Sequence, residues 1–259
     1  MLSLLCLAAS GARAQAPPCT ANTLNHLGTG CEQLDLLFNN LALIGGNGPN
    51  ASLILTTFPG ASETTGLTES FATAWVASDL GSPAATHATI GFDVSVDLDI
   101  PAAPGKSWAI SSLSLAQAGA AVIGPGASVD IKENFCLGAS TFNCTPTSGN
   151  YGYIDFDLVR VAVGVTSTTD TVCFNNGGSS CTPASGSLTF TLPIPQEQVA
   201  IQDVLTLSAP GILRTANLND VSNTFVQTPV PEPATWWMAA LSLAGFAAAA
   251  RRRRLNARR

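Results

Sequence analysis

Ile90-Gly-Phe-Asp-Val-Ser-Val-Asp-Leu-Asp-Ile100 alternates with a period of two. Phe92, Val94, Val96, Leu98 and Ile100 take one side, and Asp93, Ser95, Asp97 and Asp99 take the other. This period marks a strand with one face in a core and an acidic face outside. Residues 154–163 repeat it: Ile154, Phe156, Leu158, Val161 and Val163 are set against Asp155, Asp157 and Arg160, with an irregularity near Val159. Working outward, further strands are predicted over 34–43, 52–58, 71–77, 107–115, 129–135, 188–192, 199–207 and 221–226. Turn clusters such as Gly45-Gly-Asn-Gly-Pro49, Pro101-Ala-Ala-Pro-Gly105, Gly124-Pro-Gly126 and Thr145-Pro-Thr-Ser-Gly149 separate them. About ten strands with no helical pattern between them predict an all-β fold, an antiparallel sandwich of the jelly-roll kind. No tandem repeat is visible.

Both ends of the chain read differently. Residues 1–14 hold a short apolar run (Leu2, Leu4, Leu5, Leu7, Ala8, Ala9) closed by Ala12-Arg13-Ala14, an A-x-A cleavage pattern. A signal peptide cut after Ala14 is expected, although no basic residue precedes the run, which leaves the start codon open. A lipoprotein reading through Cys6 is poor, since Leu5 stands where a small residue is needed. At the other end, Ala234 to Ala250 is uncharged and apolar, and Arg251, Arg252, Arg253 and Arg254 follow it. As a helix from Pro233 it would span roughly 27 Å, close to the hydrocarbon thickness of about 30 Å. Trp236 and Trp237 suit the outer interface and the arginines the cytoplasmic side, so one transmembrane helix is expected, with the bulk of the chain outside the cytoplasm. Pro229 to Pro233 read as the linker to that span. Pro231 and Pro233 hold the residues around Glu232 extended and open to a protease. The boundaries are therefore a signal peptide over 1–14, an extracytoplasmic domain over 15–228, the terminal signal over 229–254 and a cytoplasmic tail over 255–259.

The order Pro231-Glu232-Pro233, apolar span, arginine cluster resembles the PEP-CTERM sorting signal of Gram-negative bacteria. That resemblance implies recognition and processing by exosortase, a membrane-embedded cysteine protease. It also implies a transient inner-membrane anchor, then a cell-surface or extracellular location in an exopolysaccharide-producing organism. A second resemblance lies in the domain itself. Gly30-Cys31-Glu-Gln-Leu-Asp-Leu-Leu-Phe38 is similar to the GC-x-x-x-D-x-x-F opening of a group of PEP-CTERM proteins. Val199-Ala-Ile-Gln-Asp-Val204 and Val221-Ser-Asn-Thr-Phe225 are similar to their closing segments. It implies a shared β domain and points to no known activity.

Composition narrows the partners. Between Gln15 and Val230 only Lys106, Lys132, Arg160 and Arg214 oppose sixteen acidic residues, a net charge of −12. Nucleic acid and other polyanions are thereby disfavoured. Once Cys6 leaves with the signal peptide, six cysteines remain, an even number suited to an oxidising compartment. They fall into sequence-local pairs, Cys19 with Cys31, Cys136 with Cys144 and Cys173 with Cys181, the latter two reading as hairpin tips stapled across their bases. Local disulfides are the expectation, out of fifteen possible connectivities. The spacings are too wide for a metal knuckle, and His26 and His87 have no ligand-like neighbours.

Chemistry is sparsely signposted. Asp93, Asp97 and Asp99 are the most ligand-like set, yet no D-x-D-x-D-G loop accompanies them, and a solvated strand face is the simpler expectation. Asp155 and Asp157 offer a carboxylate pair of the kind glycosidases use, without further pattern. No G-x-S-x-G supports a serine triad through His26 or His87. Trp75 and Trp108 could stack on sugars, but lone tryptophans in strands belong to cores. No metal and no cofactor is expected. The leading reading is an exported, non-enzymatic surface or matrix protein associated with exopolysaccharide or biofilm. Behind it stand a carbohydrate- or calcium-binding module and a secreted hydrolase whose site the sequence does not reveal.

Overall fold

A computed structural model describes residues 22–23, 31–33, 36–46, 53–59, 64–78, 85–97, 103, 106–175, 179–183 and 188–231. In chain order the strands are β1 (Asn22–Thr23), β2 (Cys31–Gln33), β3 (Leu36–Gly46), β4 (Leu53–Pro59), β5 (Thr64–Ser78), β6 (Ala85–Val96), β7 (Lys106–Ala118) and β8 (Ala121–Ile123). They continue with β9 (Ser128–Leu137), β10 (Tyr151–Ala162), β11 (Val165–Asn175), β12 (Ser179–Pro183), β13 (Leu188–Gln196), β14 (Gln198–Ser208) and β15 (Thr215–Pro231). No helix occurs among the described residues, and none of them forms a helix long and apolar enough to cross a membrane. The expected C-terminal helix, the signal peptide and the arginine cluster lie outside the described residues.

The strands form two antiparallel sheets. The larger runs β12-β11-β10-β9-β14-β6-β3-β2, and the smaller runs β1-β4-β5-β15-β7-β13 with β8 paired to β15. Phe225 of β15 meets Phe38 of β3 and Phe92 of β6 edge-on, with centroids 5.9 and 6.3 Å apart. Phe190 of β13 lies 4.9 Å from Phe135 of β9 and 5.1 Å from Phe174 of β11. These two clusters tie one sheet to the other, so the architecture is a sandwich with its core between the sheets. Each aromatic pair adds about 0.5–1.5 kcal/mol beyond area burial.

Period-two patterning delivers that core. Phe92, Val94 and Val96 on β6 and Ile154 and Phe156 on β10 are buried as their alternation requires. Strand β6 starts earlier than expected and ends at Val96, so Leu98, Asp99 and Ile100 fall outside the described residues. Five strands, β1, β2, β8, β11 and β12, have no counterpart in the sequence expectation. β11 reads Val-Thr-Ser-Thr-Thr-Asp-Thr-Val-Cys-Phe-Asn, and its first five residues are exposed. Its β-branched threonines suit a pleated ladder, but they offer no apolar alternation to detect.

Gly152 shows how tightly neighbouring strands of the larger sheet pack. A Cβ there would overlap the Phe135 ring and come within 2.8 Å of the Cys173 carbonyl oxygen. Gly152→Ala is expected to cost about 1–3 kcal/mol, the range for overpacking a filled core. Denaturant unfolding would measure it as a lowered midpoint at unchanged slope.

Candidate functional site

Both sheets present an end at which β6, β9, β11, β13 and β15 finish and β7, β10, β12 and β14 begin. The turn at Glu197 joins β13 of one sheet to β14 of the other there, and Val96 donates its N–H to the Glu197 carbonyl at 2.9 Å. The two disulfides sit at this end. Cys173 of β11 is the register partner of Cys181 on β12, so their bond staples a true hairpin. Cys136 of β9 bonds Cys144, which lies in the 138–150 loop and not on a strand. That bond therefore pins a loop back onto β9, where the sequence implied a staple across a hairpin base. Cys31 is also disulfide-bonded. Its expected partner Cys19 lies outside the described residues. Register rows bring the staples together: Tyr151 pairs Cys136 on one side and Asn175 on the other, and Tyr153 pairs Cys173. Removing Cys136–Cys144 by a double serine substitution should lower stability by about 2.5 kcal/mol on the loop-entropy model. Thermal unfolding with and without reductant would check it.

On the outer face of β9 and β10 the carboxylates converge. Asp130 and Asp157 are direct cross-strand partners, as are Lys132 and Asp155. Burial, the charge of Asp155, a hydrogen bond to it and the charge of Asp157 push Asp130 up to about 6, with Lys132 opposing. Asp157 is raised too, by burial and then by Asp155. The Lys132 ammonium lies 3.8 Å from the Tyr153 ring centroid. Sequence reasoning singled out Asp155 and Asp157 but missed Asp130, because only the β9–β10 register sets it beside them. A carboxyl pair in direct hydrogen-bond contact leaves no room for a glycosidic bond between its members, which glycosidases hold at least about 5 Å apart. Replacing Asp155 with Asn should lower the Asp130 titration from about 6 toward the ordinary aspartate range, as carboxyl NMR shifts would show.

The aspartates of β6 do not form one solvated row. Asp93 is buried, and Asn39 (3.4 Å) and Asn40 donate side-chain hydrogen bonds to its two oxygens. Asn40 reaches it because β3 is bulged there and Asn40 adopts φ 54°, a conformation asparagine tolerates. Burial raises the Asp93 pKa, and the hydrogen bonds of Asn40, Asn39 and Gln198 act against it. Asp97 lies just past the end of β6. Among the described residues no group of three or more His, Cys, Asp or Glu side chains is arranged to hold a metal. His87 sits on the exposed side of β6, while His26 is outside the described residues. Trp75 is in the core and donates its indole N–H to Thr86 at 3.2 Å, and Trp108 packs against the same core half-buried.

A cleft of about 320 Å³ opens where β7 and β13 of the smaller sheet face β10 and β11 of the larger. Leu115, Phe156 and Leu188 form its apolar floor, and Ser114, Gln117 and Asp170 stand around it. Asp170 occupies an inward register position opposite Phe156, and its buried Oδ1 accepts no hydrogen bond. Desolvation raises its pKa. An apolar floor with a carboxylate and an amide beside it fits a ligand with one C–H face and several hydroxyls. No sequence motif marks this site, because its residues come from four strands of two sheets.

The interior holds a second polar cluster. Glu133 of β9 and Asp203 of β14 are register partners that both point between the sheets, and both are fully buried. Asn223 of β15 donates its side-chain N–H to Asp203 from the opposite sheet. Asp203 and Asn223 lie in the two closing segments singled out in the sequence, so those segments meet across the core. Burial, then the charge of Asp203, holds the Glu133 pKa well above its usual range.

An all-β, disulfide-stapled, acidic ectodomain that hands its last strand to a terminal signal defines the class. Comparison with protein families places a PEP-CTERM protein-sorting motif at residues 229–254. The chain is thus an exported protein whose C-terminal sorting signal is processed by exosortase. Neither the curated proteins nor the solved structures include a match to this chain.

Proposed function

We propose that this protein is a non-enzymatic component of the cell surface or extracellular matrix that binds exopolysaccharide through the cleft at Asp170. The cleft is the observation that supports the reading. Sugar C–H faces pack on apolar side chains, and hydroxyls donate to carboxylates and amides, which is the combination offered by Leu115, Phe156 and Leu188 with Asp170 and Gln117. The domain's net charge of −12 selects neutral or cationic glycans over anionic ones. The apolar stretch over 234–250 and the arginine cluster act as the temporary anchor, with the sandwich outside the cytoplasm until processing frees it.

Affinity electrophoresis of the mature protein through gels carrying exopolysaccharide from the producing cells tests the reading. Migration should be retarded, and Asp170→Ala should weaken binding roughly 10- to 100-fold, the loss expected for a hydrogen bond to a charged group. Equal migration with and without polysaccharide would overturn it. Shortening of the polysaccharide on incubation with the protein would support a hydrolase in its place.

A further inference from the structure

Six of the eight large apolar side chains exposed among the described residues gather on three turns at one end of the sandwich: Ile123, Val161, Val163, Val165, Ile212 and Leu213. Val163 is 86% exposed, Ile212 80% and Leu213 71%. The three turns adjoin. Gly126 donates its N–H to the Arg160 carbonyl at 2.7 Å, and Arg160 donates its own to the Ala127 carbonyl at 2.9 Å. Ile123 pairs with Thr215, which joins the segment over 119–127 to the turn over 209–215. The Arg214 side chain lies along that junction: a Cβ at Gly124 would sit 2.8 Å from its Cγ, and one at Gly126 3.0 Å from its Nη1. Exposed aliphatic side chains scattered singly need no explanation, but a group of them on adjoining turns marks an interaction surface.

Backbone and charge both set this end apart. Leu213 adopts φ 62°, a conformation disfavoured for a large side chain, and no burial compensates it. Val163 and Gly164 form the tip of the β10–β11 hairpin, beyond its closing pair of Ala162 and Val165. The segments over 119–127, 158–166 and 209–215 contain Arg160 and Arg214, two of the four cations between Gln15 and Val230, and none of the sixteen acidic residues. Asp157 and Asp130 stand three residues from Arg160 and Ala127. That is roughly 10 Å along their strands, beyond the Debye length of about 8 Å at physiological salt.

We propose that this end of the sandwich docks on the surface of an anionic phospholipid membrane. The aliphatic turn tips enter the acyl boundary, while Arg160 and Arg214, half-buried behind the tips, stand at the depth of the lipid phosphates. A second copy of the chain in symmetric contact would set the same two arginines against each other. A polyanionic glycan would leave the aliphatic side chains in water. A bilayer with anionic headgroups accommodates both features. The sequence reads Pro229 to Pro233 as a linker, yet β15 starts beside the patch and continues through Pro231, pairing Pro229 with Trp108 and Pro231 with Lys106. Its 17 residues place the patch roughly 50 Å from the terminal signal. A chain held by the apolar stretch over 234–250 therefore offers the patch to a second membrane and not to its own.

The test holds the full chain by its C-terminal stretch in neutral phosphatidylcholine nanodiscs and mixes them with vesicles containing about 30 mol% phosphatidylglycerol. Flotation should carry the chain up with these vesicles and not with vesicles of phosphatidylcholine alone. Val163→Ser combined with Ile212→Ser should weaken capture at least about tenfold, since two side chains lose their apolar burial. Val163→Leu combined with Ile212→Leu should bind like the unaltered chain, which separates lost apolar contact from a disturbed fold. Ile194→Ser, exposed outside the patch, should change nothing. No capture of the unaltered chain, undiminished capture of the serine pair, or equal weakening by Ile194→Ser would overturn the proposal. Equal capture by neutral vesicles would overturn its anionic character. Pairing of the nanodiscs in sedimentation without vesicles, lost in the serine pair, would assign the patch to a second copy of the chain instead.

Discussion

Replacing Glu232 with Ala should leave the protein in the inner-membrane fraction of a host that releases the unaltered chain. Glu232 is the single charge between Asp220 and Arg251, and it stands between two prolines that cannot donate backbone hydrogen bonds. The substitution keeps the proline-directed backbone and removes only the carboxylate. A loss of processing would therefore assign recognition to that charge and not to an extended shape. In a host without exosortase, the unaltered chain should be retained in the same way, with its sandwich sensitive to protease added from the periplasmic side. Fractionation and immunoblotting read both outcomes. Efficient release of Glu232→Ala, or of the unaltered chain in the enzyme-free host, would mean that some unrelated protease cuts a plain anchor.

Glu133→Gln should stabilise the domain at neutral and alkaline pH. In the unfolded chain Glu133 titrates near 4.5, whereas burial and the neighbouring Asp203 raise its pKa in the folded state. Between those two values the folded protein holds a proton that the unfolded chain has released. Its contribution is fully present below about pH 4.5 and is lost as pH rises through the folded pKa. The amide introduced by the substitution needs no such proton, and it can donate to Asp203 directly. A gain of about 1–3 kcal/mol at pH 8 is expected, the scale of relieving an unsatisfied buried polar group. Near pH 4 the two forms should be almost equally stable. Urea unfolding across this range is the measurement. A constant difference at every pH would show that Glu133 does not change its protonation on folding. Asp130, held at about 6, acts in the same direction between about pH 4 and 6, so some slope should survive in Glu133→Gln.

These two outcomes involve different levels of organisation. The sorting motif is legible because it is local: a tripeptide, an apolar run and an arginine cluster follow one another, and each works through composition and order alone. The core is legible where apolar and polar residues alternate, as in Phe92-Asp93-Val94 and Ile154-Asp155-Phe156, because a strand turns each successive side chain to the other face. The local spacing of Cys136 with Cys144 and of Cys173 with Cys181 also carries enough information to anticipate their bonds.

Register and strand direction are beyond the sequence, since they depend on which distant segments become neighbours. Asp130 lies far from Asp155 along the chain, and only the β9–β10 ladder brings them into contact. Glu133 meets Asp203 by pairing, Asn223 then reaches Asp203 by sheet packing, and no periodicity distinguishes an inward carboxylate from an outward one. Threonine-rich β11 forms a strand without an apolar stripe, because its neighbour β10 supplies the ladder. The cleft at Asp170 exists only between two sheets, and Pro231 becomes a sheet residue because β7 offers an edge to it. Sequence alone thus determined the all-β class, the local disulfides and the sorting address through short-range periodicity and order. The tertiary structure decided which carboxylates touch, where a cleft opens between the sheets and that the address begins within the fold, because each depends on long-range pairing.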